Sequence, residues 1–208
     1  MKHLYLTSSM KSVEPDLVRH FEGSPKGQTL AYITTASETE TTDTSWIKLE
    51  EATFESFGFD VFNYTLTGKS ESEIRKDLSG IDILFVAGGN PFFLLYQIQR
   101  TNFALLAQEH VNSGKVYIGE SSGSLVAGPD IWVAHREEAL SKVPDLTDFK
   151  GMGLVDFVTF PHWGNPSTKD FYLHHRMERA YNTENKIILL TDKQYVIVKD
   201  DWYQIVQV

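Results

Sequence analysis

The chain has 208 residues, of which 41% are hydrophobic and 23% charged, an ordinary composition for a folded globular protein. The length predicts a single domain over residues 1–208 with a sizeable core. The net charge of −9 disfavours nucleic acid and acidic membranes as partners, because a broad anionic surface repels phosphate. Since the sequence contains no cysteine, disulfides, thiolate metal sites and a cysteine nucleophile are excluded.

The N-terminal residues predict neither a signal peptide nor a membrane span. Residues 1–7 lead directly into a short β-type run and lack the long apolar stretch of a secretory signal. Nowhere does an apolar run approach the ~18 residues that a transmembrane helix needs. We therefore expect a cytoplasmic protein that acts as a monomer or a small homo-oligomer.

Strands and helices are predicted to alternate over residues 1–128. Apolar β-type runs occupy residues 4–7, 29–34, 60–66, 81–87 and 116–118. Helical patterns follow them at residues 14–21, 46–57, 71–78, 92–98 and 103–111, with Pro15 placed near the start of the first helix. Because the strands are apolar on both faces, this order predicts an α/β fold, with a mostly parallel sheet flanked by helices on both faces in three αβα layers.

The second part of the chain is less regular. Residues 129–150 are predicted to form a long surface loop that contains a short strand at 132–134. Strands are predicted at 154–160 and at 186–190, where the chain returns to the sheet, and a helix at 167–181 separates them. Two β-type runs flank Lys199-Asp200-Asp201 and predict a C-terminal antiparallel β-hairpin.

The segment Gly119-Glu120-Ser121-Ser122-Gly123 joins an apolar β-type run to small and aliphatic residues that can begin a helix. A serine on such a strand-to-helix turn is held in a strained, exposed conformation. The flanking glycines remove Cβ atoms that would clash there, and the helix start directs N–H groups at negative charge beside the serine. The pattern favours a nucleophile elbow at Ser121 over a plain tight turn.

Three polar clusters fall at predicted strand ends, where ligands bind in open α/β sheets. They are Gly88-Gly89-Asn90, Glu120-Ser121-Ser122 and Pro161-His162-Trp163. A serine needs a base, and His162 is the candidate because of its place after a strand; a loop histidine bonded to a backbone carbonyl is the alternative. An oxyanion would need N–H donors, for which Ser122 and either Gly88 or Gly89 are suited. Asn90 and Glu120 are expected to contact substrate.

Two further histidines are predicted to be exposed on a helix and to bind no metal. His174 and His175 fall in the helix predicted at 167–181, together with Arg176 and Arg179, and read as part of a solvated face. Adjacent histidines point in different directions on a helix, so they make a poor metal pair. We expect no metal and no cofactor.

The three clusters together resemble the peptidase E family of α-aspartyl dipeptidases, which is related to cyanophycinases. Residues 87–95 read Ala-Gly-Gly-Asn-Pro-Phe-Phe-Leu-Leu and are similar to the family's Gly-Gly-Asn-x-Phe-x-Leu-Leu segment. Residues 117–124 resemble its Gly-x-Ser-Ala-Gly-Ala nucleophile segment, and Phe160-Pro161-His162-Trp163 its Asn-Pro-His-aromatic segment. The resemblance covers most of the chain and implies a class I glutamine-amidotransferase-like fold.

The resemblance also implies roles for individual residues. Ser121 would be the nucleophile and His162 the general base of a serine peptidase acting on short peptides, with an oxyanion hole near Gly89 and Ser122. The family's third member is a glutamate at the start of a late strand, and Asp192 stands there in this chain. The implied substrate is a dipeptide with N-terminal aspartate.

The chain departs from the family in the segment that follows the histidine. The family has Thr-Arg and a second arginine, where this chain reads Ser167-Thr168-Lys169-Asp170. Lys169 is the candidate for the substrate carboxylate, but an ammonium lacks the bidentate fork of an arginine. Ser122 stands where the family has alanine, a change that keeps the backbone donor.

Two other functions remain open at this point. An α/β-hydrolase esterase would need an acid before the histidine in the chain, and Asp145 or Asp148 satisfies that order. A catalytically silent peptide- or amide-binding protein would keep the fold without the reaction, because fold alone does not fix function.

Overall fold

A computed structural model describes residues 1–21, 23–40, 43–181 and 184–208. The order of its main seven-stranded sheet is β3-β2-β4-β5-β1-β8-β9. Strands β1 to β5 are mutually parallel, whereas β8 lies antiparallel to β1 and β9 antiparallel to β8. In the described part of the chain the strands are β1 His3–Thr7, β2 Thr29–Ile33, β3 Asp60–Tyr64, β4 Ile83–Val86, β5 Val116–Glu120, β6 Phe157–Phe160, β7 Lys186–Leu189, β8 Gln194–Lys199 and β9 Trp202–Gln207.

Helices cover both faces of this sheet, because neighbouring residues of a strand point to opposite faces and here both are apolar. In β4, Leu84 and Val86 join one buried cluster, while Ile83 and Phe85 join the other. The second cluster takes residues from helices α1 Met10–His20 and α2 Ser45–Phe57. The first takes residues from α3 Glu71–Asp77, α4 Pro91–Thr101, α5 Phe103–Asn112 and α6 Ser122–Val126. The predicted αβα layers and the C-terminal hairpin are confirmed.

The prediction that residues 186–190 return to the main sheet is wrong. Strand β7 pairs in parallel with β6, and the two form a separate two-stranded sheet. The free edge of β1 is taken by β8, whose register places Leu4 opposite Val198. A central strand has only two edges, so β1 cannot pair with β7 as well.

Two local predictions also differ from the structure. Residues 132–134 form a 3₁₀ turn and not a strand, because Asp130 accepts the Trp132 N–H at 2.7 Å and the Ala134 N–H returns to Ile131 O. Helix α1 begins at Met10, so Pro15 lies inside it rather than near its start. The apolar residues Met10 and Val13 bury the first turn of α1. This packing compensates for the helical hydrogen bond that is lost because proline has no N–H.

The helix predicted at 167–181 is present with an irregular backbone. After α7 (Glu137–Leu140) and β6, a 3₁₀ turn at Pro166–Thr168 leads into α8 (Lys169–Phe171). A π-helical turn at Tyr172–Arg176 separates α8 from α9 (Met177–Ala180). A π turn places one more residue in the turn than an α-helix does and shifts the side chains that follow. His174 and His175 are exposed as expected, but Arg176 is buried.

Within the residues that the structure describes, no helix is long and apolar enough to cross a membrane.

Replacing Gly123 in α6 with alanine should destabilise the fold by about 2–4 kcal/mol. An added Cβ would lie 1.9 Å from the Val86 carbonyl oxygen, so α6 would have to move away from β4. Urea denaturation measures the change. The control is Gly80→Ala, whose Cβ meets no atom within 4 Å, and we expect a change below about 1 kcal/mol. Equal effects of the two substitutions would contradict this account of the contact.

Candidate active site

Ser121 lies on a sharp turn between strand β5 and helix α6. Its backbone has φ 47° and ψ −103°, a conformation that L-residues rarely adopt. The turn is this tight because Gly119 and Gly123 pack backbone to backbone, where a Cβ on Gly119 would lie 2.7 Å from the Gly123 carbonyl. The elbow geometry that the glycine spacing predicts is therefore present.

A chain of hydrogen bonds runs from Ser121 to a carboxylate. Ser121 Oγ lies 3.0 Å from His162 Nε2, and His162 Nδ1 lies 2.7 Å from Asp192 Oδ1. The three residues come from the end of β5, the loop after β6 and the turn before β8. This is the order of nucleophile, base and orienting acid that activates a serine hydroxyl. The sequence-predicted trio thus meets in space.

Asp192 is also contacted by a residue that the sequence analysis missed. Ser8, directly after β1, donates from Oγ to Asp192 Oδ1 at 2.8 Å. The same Oγ accepts the backbone N–H of His162 at 2.7 Å. Ser8 follows a buried strand, as the residues after β4 and β5 do, and the carboxyl ends of these parallel strands share one edge of the main sheet. That position was the signal in the sequence that could have found it.

The esterase alternative placed the acid at Asp145 or Asp148, before the histidine in the chain. In the structure the His162 imidazole pairs with Asp192, which comes after His162 in the chain. The Asp148 carboxylate accepts the Lys150 N–H within its own loop. This arrangement disfavours the α/β-hydrolase order of residues.

Two of the predicted oxyanion donors belong to residues that line the pocket with Ser121. Gly89 and Ser122 both line the pocket at the nucleophile, and neither N–H has an acceptor among the residues that the structure describes. The Ser122 hydroxyl donates to the Gly89 carbonyl oxygen and so ties the two segments together. The Gly88 N–H is directed at the Glu120 carboxylate. Of the two glycines predicted as donors, Gly89 is therefore the one whose N–H is without an acceptor in the described residues.

The pocket in front of Ser121 has a volume of about 520 Å³ and contains two arginines. Arg176 is buried, with its guanidinium carbon 4.5 Å from the centre of the Tyr172 ring. Its Nε has no hydrogen-bond partner, and no carboxylate pairs with it among the described residues. Burial lowers the pKa of Arg176 from its ordinary value, and the charge of Arg136 adds to the effect. The pocket that Ser121 lines therefore contains a guanidinium without a carboxylate partner in the described part of the chain.

The structure does not bring the three residues predicted for substrate binding into this pocket. Asn90 caps α4, accepting the N–H groups of Phe92 and Phe93, and donates to Ala139 O. Glu120 is buried beneath the turn, and Lys169 lines a neighbouring hollow beside Trp163. Arg176 lines the pocket and is the last residue of the π turn, an irregularity that has no signature in the helical pattern of the sequence.

Glu120 links three segments around the nucleophile. Its Oε1 accepts the Met10 N–H at the start of α1 at 2.7 Å, and the Gly88 N–H also donates to its carboxylate. Burial raises the pKa of Glu120, while these two N–H groups oppose the rise. On the same side of the sheet, burial and then the charge of Glu120 raise the pKa of Glu50 to about 9. Tyr32 donates its hydroxyl to Glu50 at 2.7 Å.

Comparison with known proteins gives a match to the family model described as peptidase family S51, over residues 4–206. An uncharacterized peptidase of Listeria monocytogenes is 33% identical over 199 residues, covering 96% of this chain and 95% of that protein. An uncharacterized peptidase of Pasteurella multocida is 36% identical over 165 residues, 79% of each chain. A Shewanella amazonensis protein named peptidase E is 31% identical over 120 residues, 52% of this chain and 49% of that one.

Among solved structures, a Listeria monocytogenes protein described provisionally as a peptidase E superposes with a TM-score of 0.89. It is 30% identical and the match covers 100% of this chain and 99% of that one. A peptidase from an acI-B1 actinobacterium superposes with a TM-score of 0.72 at 16% identity, covering 100% of this chain and 88% of that one. Because its identity is this low, the second likeness shows the fold alone.

Replacing Glu50 with glutamine should flatten the dependence of stability on pH. The pKa of Glu50 is 4.5 in its ordinary state and about 9 in the folded chain. Between these values the folded state binds more protons at Glu50, so the contribution of Glu50 to the free energy of unfolding falls as pH rises. The stability of Glu50→Gln relative to the parent should therefore increase from about pH 5 to about pH 8.

Urea denaturation at both pH values measures this difference. Glu55→Gln is the control, because Glu55 is exposed on the same helix and its replacement should shift stability equally at the two pH values. Parallel pH profiles for the parent and Glu50→Gln would contradict the assignment.

Proposed function

The chain belongs to peptidase family S51, a family of serine peptidases, and on that premise we propose that it hydrolyses short acidic peptides through an acyl-enzyme on Ser121. The observation that carries the proposal is the continuous chain from Ser121 Oγ through His162 to Asp192, which opens into the large pocket. A serine hydroxyl becomes a nucleophile only when a base removes its proton.

In the acylation step, Ser121 Oγ attacks the scissile carbonyl carbon while His162 Nε2 takes the hydroxyl proton. The negative charge that forms on the carbonyl oxygen is held by the N–H groups of Gly89 and Ser122. The tetrahedral intermediate collapses, the C–N bond breaks, and the leaving amine receives the proton from His162. Asp192 holds the ring with Nε2 toward the serine and stabilises the imidazolium.

In the deacylation step, a water molecule takes the place of the leaving amine. His162 removes a proton from this water, whose oxygen attacks the ester carbonyl of acylated Ser121. The same two N–H groups stabilise the second oxyanion. Collapse breaks the ester bond, and His162 returns the proton to Ser121 Oγ, which releases a carboxylic acid and restores the enzyme.

Arg176 supports a preference for peptides with an acidic side chain, such as an N-terminal aspartate. A buried guanidinium without an anion is costly, and a carboxylate bound in the pocket would relieve this cost. Arg136 adds a second positive charge on the same wall. An arginine fork also matches the planar carboxylate better than the ammonium of Lys169, which lies outside the pocket.

Ser121→Ala should abolish covalent labelling by a fluorophosphonate, because Ser121 is the serine in the described lining of this pocket whose Oγ contacts an imidazole nitrogen, His162 Nε2. Mass spectrometry of peptides from the labelled parent should place the adduct on Ser121. Ser113→Ala is the control and should label as the parent does, since Ser113 lies at the end of α5. Labelling that persists in Ser121→Ala, or a folded parent that does not label, would refute the mechanism.

Arg176→Gln should lower kcat/KM for a dipeptide with N-terminal aspartate by about 30-fold or more, because a charge-assisted bond is lost. The matched dipeptide with N-terminal asparagine should be hydrolysed at nearly the parent rate. Arg179→Gln is the control, since Arg179 stacks on Trp132 and does not line the pocket. A parent without preference for aspartate over asparagine, or an Arg176→Gln variant that keeps it, would exclude this role.

A further inference from the structure

Ser8 is a fully buried serine that contacts two members of the Ser121–His162–Asp192 chain at once. It follows strand β1 and is 0% exposed. Its Oγ accepts the His162 N–H at 2.7 Å, donates to Asp192 Oδ1 at 2.8 Å and lies 3.5 Å from His162 Nδ1. The backbone of the histidine and the carboxylate that orients its ring are therefore joined through one hydroxyl.

The backbone of His162 needs such a contact. Its φ of 61° lies in the left-handed region, which a non-glycine residue occupies only when its surroundings hold it there. On one side the Trp163 N–H donates to Leu190 O at 2.9 Å, and on the other the His162 N–H donates to Ser8. Without the Ser8 oxygen, one of these two supports of the strained residue is lost.

Asp192 depends on Ser8 in a second way. The Asp192 side chain is 40% exposed, and a short side chain with this much solvent around it has other orientations available. Among the described residues, the donors to its carboxylate are His162 Nδ1 and Ser8 Oγ, and both use Oδ1. Ser8 therefore fixes the oxygen that receives the imidazole N–H.

We propose that Ser8 is a positioning residue of the catalytic group, holding both the imidazole and its aspartate in the geometry that the reaction needs. The proposal rests on the mechanism given above for Ser121. It concerns orientation and not substrate binding, because Ser8 does not line the pocket. A loss of orientation lowers the rate of the chemical step and leaves the binding of substrate largely unchanged.

The test compares Ser8→Ala with the parent by fluorophosphonate labelling and by proton NMR of the His162 Nδ1–H resonance. The bond-forming rate constant should fall about 10- to 100-fold, while the reversible affinity for the reagent stays within about 3-fold. The low-field Nδ1–H resonance should shift or broaden. Ser9→Ala is the matched control, because the neighbouring Ser9 hydroxyl makes no capping bond at α1, and it should behave as the parent.

Ser8→Cys, which keeps the size of the side chain but bonds weakly, should lie between the parent and Ser8→Ala in both measurements. This variant carries the test if Ser8→Ala does not fold. An unchanged rate constant and an unchanged resonance in the folded variants would overturn the proposal. A parent that fails to label refutes the proposed function alone, since the imidazole resonance still reports whether Ser8 orients His162.

Discussion

The buried carboxylate of Glu120 is the contact on which the arrangement of the site depends. It accepts the Met10 N–H of helix α1 and the Gly88 N–H of the loop after β4, and it directly precedes Ser121. These bonds compensate a carboxylate that would otherwise be expensive to bury. Because the Gly88 N–H is used in this way, the proposed oxyanion donor is the next N–H along the chain, that of Gly89. One acidic side chain thus links the turn that carries Ser121 to helix α1 and to the loop after β4.

The charge of the pocket is opposite to that of the whole protein. The chain carries a net charge of −9, whereas the pocket wall contains Arg136 and the buried Arg176 without a carboxylate partner in the described residues. This contrast supports the proposed preference for an acidic side chain at the pocket, since a general electrostatic attraction for anions would need a positive surface. The same contrast explains why composition disfavours nucleic acid as a partner and yet permits an acidic peptide.

Much of the fold and the core of the site follows from sequence pattern. Alternating strands and helices with strands apolar on both faces require a covered parallel sheet, and the carboxyl ends of those strands must share one edge. Gly119 and Gly123 predict the elbow at Ser121 because only glycine permits that backbone approach. The early expectation of a cytoplasmic protein remains a prediction.

The sequence patterns do not predict where several side chains of the site lie or which groups they contact. Only the tertiary structure decides these positions. The helical pattern predicts a solvated Arg176, but in the structure this residue ends a π turn and is buried at the pocket. Lys169, in the short helix α8 before that turn, lines the neighbouring hollow instead. Ser8 and Asp192 lie 184 positions apart, and no local pattern links residues that meet through the order of β1 and β8 in the sheet. The sequence determined which residues stand at strand ends, because periodicity is local; their hydrogen-bond partners depend on packing between distant segments, which periodicity does not record.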